Sequence, residues 1–316
     1  MAAATATAVT ATPSTLAGVQ ASGHMTVNWY AHYDPSFPTA IVGAILFGTV
    51  GFVTLFQFFQ KRCWFWWPLV LGTMMEMAGY IARAPSSKYT DNKNMYIVQL
   101  VMIILAPGIM AAACYMAMGR LILHITPPSH LRFRTLWVPA RFITPTFVLF
   151  DILSFGIQLI GASVIASASI ADFDRAQRGS RIVEIGLAVQ LICFGFFSFV
   201  AARFSFVAKR WESAWPGREW LKLLYAINVA CAIILLRSIY RMIEFAGGRD
   251  GYVRTHEWPF WVFDSFFIWC VLVVFTIFHP ADFLPNIGLR KTVVKRTDVE
   301  GTGGHEMLSS RISVAN

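Results

Sequence analysis

Apolar residues are concentrated in seven stretches of the chain, and short polar segments separate these stretches. A helix that crosses the roughly 30 Å hydrocarbon core of a bilayer needs about 20 apolar residues, which is the length of each stretch. The pattern therefore predicts an all-α integral membrane bundle of seven transmembrane helices. The sixth stretch is the least uniform, because Lys222, Arg237 and Arg241 lie in or near it. The predicted helices are Ala40–Gln60, Cys63–Ala82, Met95–Gly119, Phe142–Ala166, Ile185–Ala202, Trp220–Glu244 and Trp258–His279.

Basic residues are distributed unequally between the two sides of the predicted bundle. The loops after helices one, three and five and the C-terminal tail carry 16 of the 26 basic residues, whereas the residues before Lys61 carry none. Cytoplasmic loops of membrane proteins are enriched in Lys and Arg, so we predict an N-terminus outside and a C-terminus in the cytoplasm. The predicted domains are a disordered extracellular tail over 1–30, the seven-helix membrane domain over 31–285 and a disordered basic cytoplasmic tail over 286–316.

Composition supports the membrane class. Hydrophobic residues make up 56% of the chain and charged residues 14%, against about 25% charged residues in a soluble domain. The net charge of +9 lies mostly in the loops and the tail described above, so topology explains it and no nucleic acid partner is predicted. The five cysteines are scattered through apolar segments without disulfide or metal-ligand spacing. We therefore predict no cofactor and no metal site, and the sequence specifies no protein partner.

Charged and amide side chains recur on single faces of the apolar helices. Residues four and seven positions apart lie on the same side of an α-helix, and such polar faces occur on predicted helices two, four, six and seven. A charge in hydrocarbon costs at least about 2.5–3.5 kcal/mol, so these side chains are expected to face the bundle interior. Including one glutamine each on helices three and five, the candidate residues are Glu76, Tyr80, Arg83, Gln99, Asp151, Gln158, Gln190, Arg237, Arg241, Glu244, Glu257 and Asp264.

Two interpretations of these polar faces stay open. In the first, Arg237 and Arg241 form structural ion pairs that lock the bundle, with acids such as Asp264, Glu76 or Asp151. In the second, the polar faces surround a cavity that also admits the head group of a substrate. The second interpretation explains why so many helices carry a polar face.

Pro107 lies inside the uncharged third helix. A proline removes a backbone hydrogen bond and kinks or locally opens a helix. We interpret Pro107 as a candidate hinge for gating, with a static kink as the alternative.

Six segments that contain the polar residues follow one another across the predicted membrane domain. They are Glu76-Met-Ala-Gly-Tyr80-Ile-Ala-Arg83, Gln99 with Leu105-Ala-Pro-Gly and Ala112-Ala-Cys-Tyr115, Asp151-Ile-Leu-Ser with Gln158-Leu-Ile-Gly161, Gly186-Leu-Ala-Val-Gln190, Arg237-Ser-Ile-Tyr-Arg241-Met-Ile-Glu244, and Glu257 followed by Asp264 and His279-Pro280. In this order they resemble the motifs of the fungal lipid-translocating exporter family, which includes the sphingoid long-chain-base transporter and the aminocholesterol-resistance protein of yeast. The resemblance covers roughly residues 30–285.

The resemblance implies a seven-helix plasma-membrane protein that moves, or helps to move, amphipathic lipids such as sphingoid bases toward the outside. It also implies a contribution to resistance against toxic amphiphiles, and partners that are membrane lipids and amphipathic small molecules. A porphyrin-transport member belongs to the same family, so membership alone does not fix the substrate. The cationic amine of a sphingoid base can meet one of the intramembrane acids while its tail stays in lipid. The candidate acids are Glu76, Asp151, Glu244 and Asp264.

Other functions are compatible with seven helices. A receptor or membrane-stress sensor without transport activity is the main alternative, because a ligand pocket and a transport path carry the same polar pattern. The sequence contains no phosphate-binding G-x-x-x-x-G-K-[ST] loop, which argues against direct ATP-driven pumping. It also contains no HExxH or GxSxG motif, so we expect no enzymatic activity.

Overall fold

The computed structural model describes residues 35–89, 92–125, 140–168, 173–209, 219–247 and 251–283. Within these ranges the chain forms seven long helices and no β-strand. The predicted tails over 1–30 and 286–316 lie outside the described residues. The helices are α1 (Phe37–Lys61), α2 (Trp67–Lys88), α3 (Lys93–Ile125), α4 (Ala140–Ser167), α5 (Phe173–Ala208), α6 (Glu219–Ala246) and α7, which is π-helical over Phe260–Phe266 and α-helical over Phe267–Ile277.

Six of these helices, all except α2, are long and apolar enough to cross a membrane. The prediction of an all-helical integral membrane protein is therefore confirmed. The sixth predicted helix, the least uniform in sequence, meets the criterion as Trp220–Ala246. The exception is α2, because Glu76, Arg83 and several Gly, Ser and Pro residues interrupt its apolar residues.

Most of the observed helices are longer than the apolar stretches that predict them, whereas α7 is shorter, because it ends at Ile277 rather than at His279. Helix α5 begins at Phe173 rather than at the predicted Ile185. The prediction omits its first turns because their charged residues lower the local hydropathy. Helix α3 similarly continues to Ile125. Hydropathy detects the part of a helix that suits lipid, whereas the hydrogen-bonded helix continues beyond it.

Consecutive helices pack against one another, and α1 also contacts α7. Helix α3 lies at the centre, because it contacts α2, α4 and α6 and buries the largest share of residues among the six apolar helices. Its buried side chains include Met110, Cys114, Tyr115, Met118 and Leu121. Large apolar side chains are exposed on the outside of the bundle, as a lipid-facing surface requires; examples are Ile45, Phe52, Ile192 and Phe206.

Helices α4 and α5 approach so closely that their contact requires glycine. A Cβ atom on Gly161 would lie 2.7 Å from the backbone nitrogen of Val183 and 2.8 Å from the carbonyl oxygen of Gly179. A Cβ atom on Gly179 would lie 2.9 Å from the carbonyl oxygen of Gly161. Small residues allow two membrane helices to pack backbone to backbone in this way. The two glycines therefore fix the position of α4 against α5.

Replacing Gly161 by alanine is expected to lower the stability of the protein by about 1–3 kcal/mol, because the added methyl group forces the two backbones apart. The matched control is Gly156→Ala on the same helix, where a Cβ atom would meet nothing within 4 Å. That change should leave stability the same or raise it by up to about 1 kcal/mol. The midpoint of thermal unfolding of the detergent-solubilised protein measures both effects. Equal midpoints for the two variants would contradict the close backbone contact.

Candidate functional site

Asp264 lies in the π-helical segment of α7 and is 1% exposed. Two arginines of α6 pair with it. Arg237 donates from Nε to Oδ1 over 2.7 Å, and Arg241 donates from Nε to the same oxygen over 3.0 Å and from Nη2 to Oδ2. Both oxygens of the carboxylate are thus occupied by guanidinium groups. Single π-helical segments are frequent at functional sites, and this one places a carboxylate against α6.

The same two arginines extend the network to other helices. Arg237 donates from Nη2 to the carbonyl oxygen of Ile103 on α3 over 2.9 Å. Arg241 donates from Nη1 to Glu244 over 2.9 Å. Helices α3, α6 and α7 are therefore joined through hydrogen bonds that are inaccessible to water, since both arginines are 2% exposed.

Glu76 of α2 is 1% exposed and borders this network. Its neighbours are Asp264 and the two arginines. Among the described residues its Oε1 atom has no hydrogen-bond partner. The carboxylates of Asp264 and Glu76 thus offer more oxygen atoms than the guanidinium groups of Arg237 and Arg241 bind by hydrogen bonds.

A second ion pair lies toward the start of α7. Arg83 donates from Nη2 to Oε1 of Glu257 over 3.1 Å, and its guanidinium lies 4.3 Å from the ring centre of Phe260. Glu257 also accepts from the backbone N–H of Ser36 over 3.2 Å and from the hydroxyl of Thr39 over 3.3 Å. Burial alone would raise the pKa of Glu257, but the surrounding hydrogen-bond donors and the charge of Arg83 hold it below its ordinary value. Glu257 is therefore a charged anchor that ties the start of α1 to α2 and α7.

Between these two groups, the hydroxyl of Tyr80 forms a hydrogen bond with the hydroxyl of Ser265. Together these groups form a series of polar side chains that runs from the start of α7 toward the arginines around Asp264. We call this series the polar file. Its members are Glu257, Arg83, Tyr80, Ser265, Asp264, Arg241, Arg237, Glu244 and Glu76.

A separate polar group lies on α4 and α5. Gln158 donates from Nε2 to Oε1 of Gln190 over 2.8 Å, while its own Oε1 has no partner among the described residues. About two turns earlier on α4, Asp151 is 3% exposed, and neither of its carboxylate oxygens has a hydrogen-bond partner among the described residues. The hydroxyl of Tyr115 on α3 lies beside this carboxylate. As far as the structure describes the chain, this second group contains unpartnered acceptors and no cation.

The structure therefore divides the predicted site residues between two places. Eight belong to the polar file and three, Asp151, Gln158 and Gln190, to the group on α4 and α5. Gln99 is buried on α3, 3% exposed. Arg237 and Arg241 pair with Asp264, as one interpretation of the polar faces proposes, but the described residues show no ion pair from either arginine to Asp151. Helix α3 continues through Pro107, so the hinge stays a prediction.

Several residues of the two groups are not apparent from polar spacing. Ser265 follows Asp264 directly, but a lone serine in an apolar helix carries little signal. The carbonyl of Ile103 is a backbone group, and its role depends on the close packing of α3 against α6. Tyr115 occurs in one of the family motifs, and its position opposite Asp151 depends on how α3 contacts α4.

Replacing Asp264 by asparagine should destabilise the protein by about 3–5 kcal/mol, because two buried guanidinium groups then lose the charge that compensates them. The double variant Asp264→Asn with Arg237→Met removes one charge of each sign and should recover most of this loss. The control is Asp282→Asn, whose partner Lys61 and own side chain are 24% and 47% exposed; it should change stability by less than about 1 kcal/mol. Unfolding midpoints in detergent compare the three. A double variant less stable than Asp264→Asn alone would contradict the pairing.

Comparison with known proteins finds relatives in fungi. The family model described as RTA1 like protein matches residues 69–287, which include every candidate site residue. The chain is 36% identical over 214 residues to protoporphyrin uptake protein 1 of Saccharomyces cerevisiae, across 66% of this chain and 67% of that protein. It is 27% identical to the probable lipid transporter atnI of Emericella nidulans (78% and 66%) and 24% identical to the sphingoid long-chain base transporter RSB1 of Saccharomyces cerevisiae (79% and 73%). No solved structure matches the chain.

The chain spans about two thirds of the length of the first two of these relatives. The family match covers well over half of the chain, and it includes the motif order that underlies the resemblance seen in the sequence. The chain belongs to the RTA1-like family.

Proposed function

We propose that the protein translocates amphipathic lipids, such as sphingoid long-chain bases, across the plasma membrane and thereby contributes to resistance against toxic amphiphiles. The observation that carries this proposal is the unused hydrogen-bonding capacity of the bundle interior. Glu76, Asp151 and Gln158 are each at least 97% buried, and each keeps an acceptor without a partner among the described residues.

Unpartnered buried acceptors distinguish a path from a purely structural network. A buried polar atom that lacks its hydrogen bond costs about 1–3 kcal/mol, so native structures satisfy nearly all of them. Ion pairs that served only to hold helices together would leave no such atoms. Acceptors kept available inside an apolar bundle fit a polar head group that occupies them during passage.

The names of the relatives agree with this proposal. One is a sphingoid long-chain base transporter and one a probable lipid transporter. The protoporphyrin uptake protein widens the range of substrates that the family admits. Amphipathic lipids are the class that the interior of this bundle suits best, because the head group finds carboxylates inside while the tail remains against an apolar exterior.

The proposal includes seven membrane crossings, with the N-terminus outside and the C-terminus in the cytoplasm. Helix α2 supports the count although its average hydropathy is low. It packs against both α1 and α3, its 22 residues span about 33 Å, and Glu76 and Arg83 are buried. A helix that packs between two spanning helices and buries the charges along its length, leaving only Lys88 exposed at its end, is expected to cross with them.

Reconstituted protein should accelerate the transbilayer movement of a fluorescent sphingoid base in phosphatidylcholine vesicles. The expected result is a rate at least several-fold above that of protein-free vesicles, because the interior acceptors lower the cost of moving the amine through hydrocarbon. Dithionite quenching of the dye in the outer leaflet measures the rate. A fluorescent phosphatidylcholine serves as the control substrate for general leakiness.

A rate equal to that of protein-free vesicles, for protein shown to be folded and inserted, would contradict translocation. Saturable binding of the sphingoid base without movement would instead favour the membrane-stress sensor.

A further inference from the structure

We infer that Asp151, Tyr115 and the aromatic rings around them form a binding site for the ammonium head group of a single-chain amphiphile. The inference rests on the proposed function and names the position at which the head group is recognised. It also separates Asp151 from the other acids of the bundle interior.

Four acids of the bundle are candidates for contact with an amine: Glu76, Asp151, Glu244 and Asp264. Among the described residues, arginines pair with or lie beside three of them, and Asp151 is the exception. Asp264 is held by two guanidinium groups, and Glu244 is paired with Arg241. Glu76 borders the same two arginines, whose charges repel a second cation. Within the described part of the chain, Asp151 has no ion pair with a basic side chain. An incoming cation is therefore attracted most strongly at Asp151.

The chemistry of the site calls for a ligand that donates hydrogen bonds. Asp151 and Tyr115 are 3% and 0% exposed, and both carboxylate oxygens and the phenol hydroxyl are unpartnered within the described residues. An isolated carboxylate in an apolar environment carries a large desolvation penalty unless a positive charge compensates it. A primary ammonium supplies one positive charge and three N–H donors, which matches two carboxylate oxygens and one hydroxyl.

Aromatic rings complete the site. Phe147 lies one turn before Asp151 on α4 and so on the same face. The ring of Tyr115 lies 5.5 Å from that of Phe147, 6.1 Å from that of Phe194 and 4.5 Å from that of Phe197. The faces of aromatic rings attract ammonium groups, and clustered rings recognise them in many proteins. A carboxylate beside the hydroxyl of Tyr115, whose ring belongs to this aromatic cluster, suits an organic cation better than a metal ion.

The location of Asp151 also suits a ligand with an apolar tail. Its neighbours on α4, Phe150, Ile152 and Leu153, are 44%, 58% and 53% exposed on the outside of the bundle. An amine bound at Asp151 thus lies on the inner face of α4, and lipid contacts the outer face of the same helix. The tail of a single-chain amphiphile can remain in the bilayer along α4 while the head group is bound inside.

The test compares two lipids of equal chain length, phytosphingosine with a free amine and its N-acetylated derivative without one. Binding of each to the full-length protein in phosphatidylcholine nanodiscs is measured by displacement of tritiated sphinganine. The wild type should bind phytosphingosine at least tenfold more tightly than the N-acetylated lipid. Asp151→Asn should abolish this preference and leave binding of the N-acetylated lipid within about twofold. Ser163→Ala, an exposed position on the same helix whose hydroxyl bonds to its own helix, should keep the preference.

Thermal unfolding without lipid separates recognition from a structural role. Asp151→Asn should be at least as stable as the wild type, because it removes an uncompensated carboxylate. A variant that keeps the amine preference, or that unfolds several degrees lower than the wild type, would overturn the site.

Amine-selective binding that depends on Asp151, in a protein that moves no lipid, would refute translocation and retain the site. Lipid movement with unchanged amine preference in Asp151→Asn would refute the site and retain translocation.

Discussion

Asp264 accepts hydrogen bonds from Arg237 and Arg241 in the middle of an apolar bundle, and much of the architecture follows from this arrangement. A buried charge is tolerated only when it is paired, so α6 and α7 have to pack against each other at the level of Asp264. The second donor group of Arg237 reaches the carbonyl of Ile103, which brings α3 into the same layer. The π-helical segment of α7 is part of the same constraint, because it carries the carboxylate that the two arginines share.

The two polar groups differ in a way that polar spacing does not show. In the polar file, acids pair with arginines, and the hydroxyl of Tyr80 bonds to that of Ser265. One carboxylate oxygen of Glu76 has no partner among the described residues. The group on α4 and α5 contains acceptors and aromatic rings but no cation within the described ranges. The closely packed glycines hold α4 and α5 together near it. We therefore propose a framework role for the arginine pairs, and ligand recognition by the acceptors that remain unpaired among the described residues.

The sequence predicts the membrane class and helix order well, because apolar stretches of about 20 residues are a strong signal. It also predicts that the polar faces turn inward. The structure agrees for Glu76, Asp151, Arg237 and Asp264, which are all buried. It does not separate Asp151 from the acids near the arginines, because partners on different helices depend on rotation and depth rather than on spacing. The π-helical geometry around Asp264 has no sequence signal either, as it arises from tertiary contacts.

The most direct test of the account compares lipid movement by two variants at equal amounts of inserted protein. One is Asp151→Asn, and the other is the charge-balanced double variant Arg237→Met with Asp264→Asn. The account predicts that the double variant moves a fluorescent sphingoid base within about twofold of the wild-type rate, and that Asp151→Asn falls to the rate of protein-free vesicles. Wild-type movement by Asp151→Asn, together with loss of movement in a folded double variant, would contradict it.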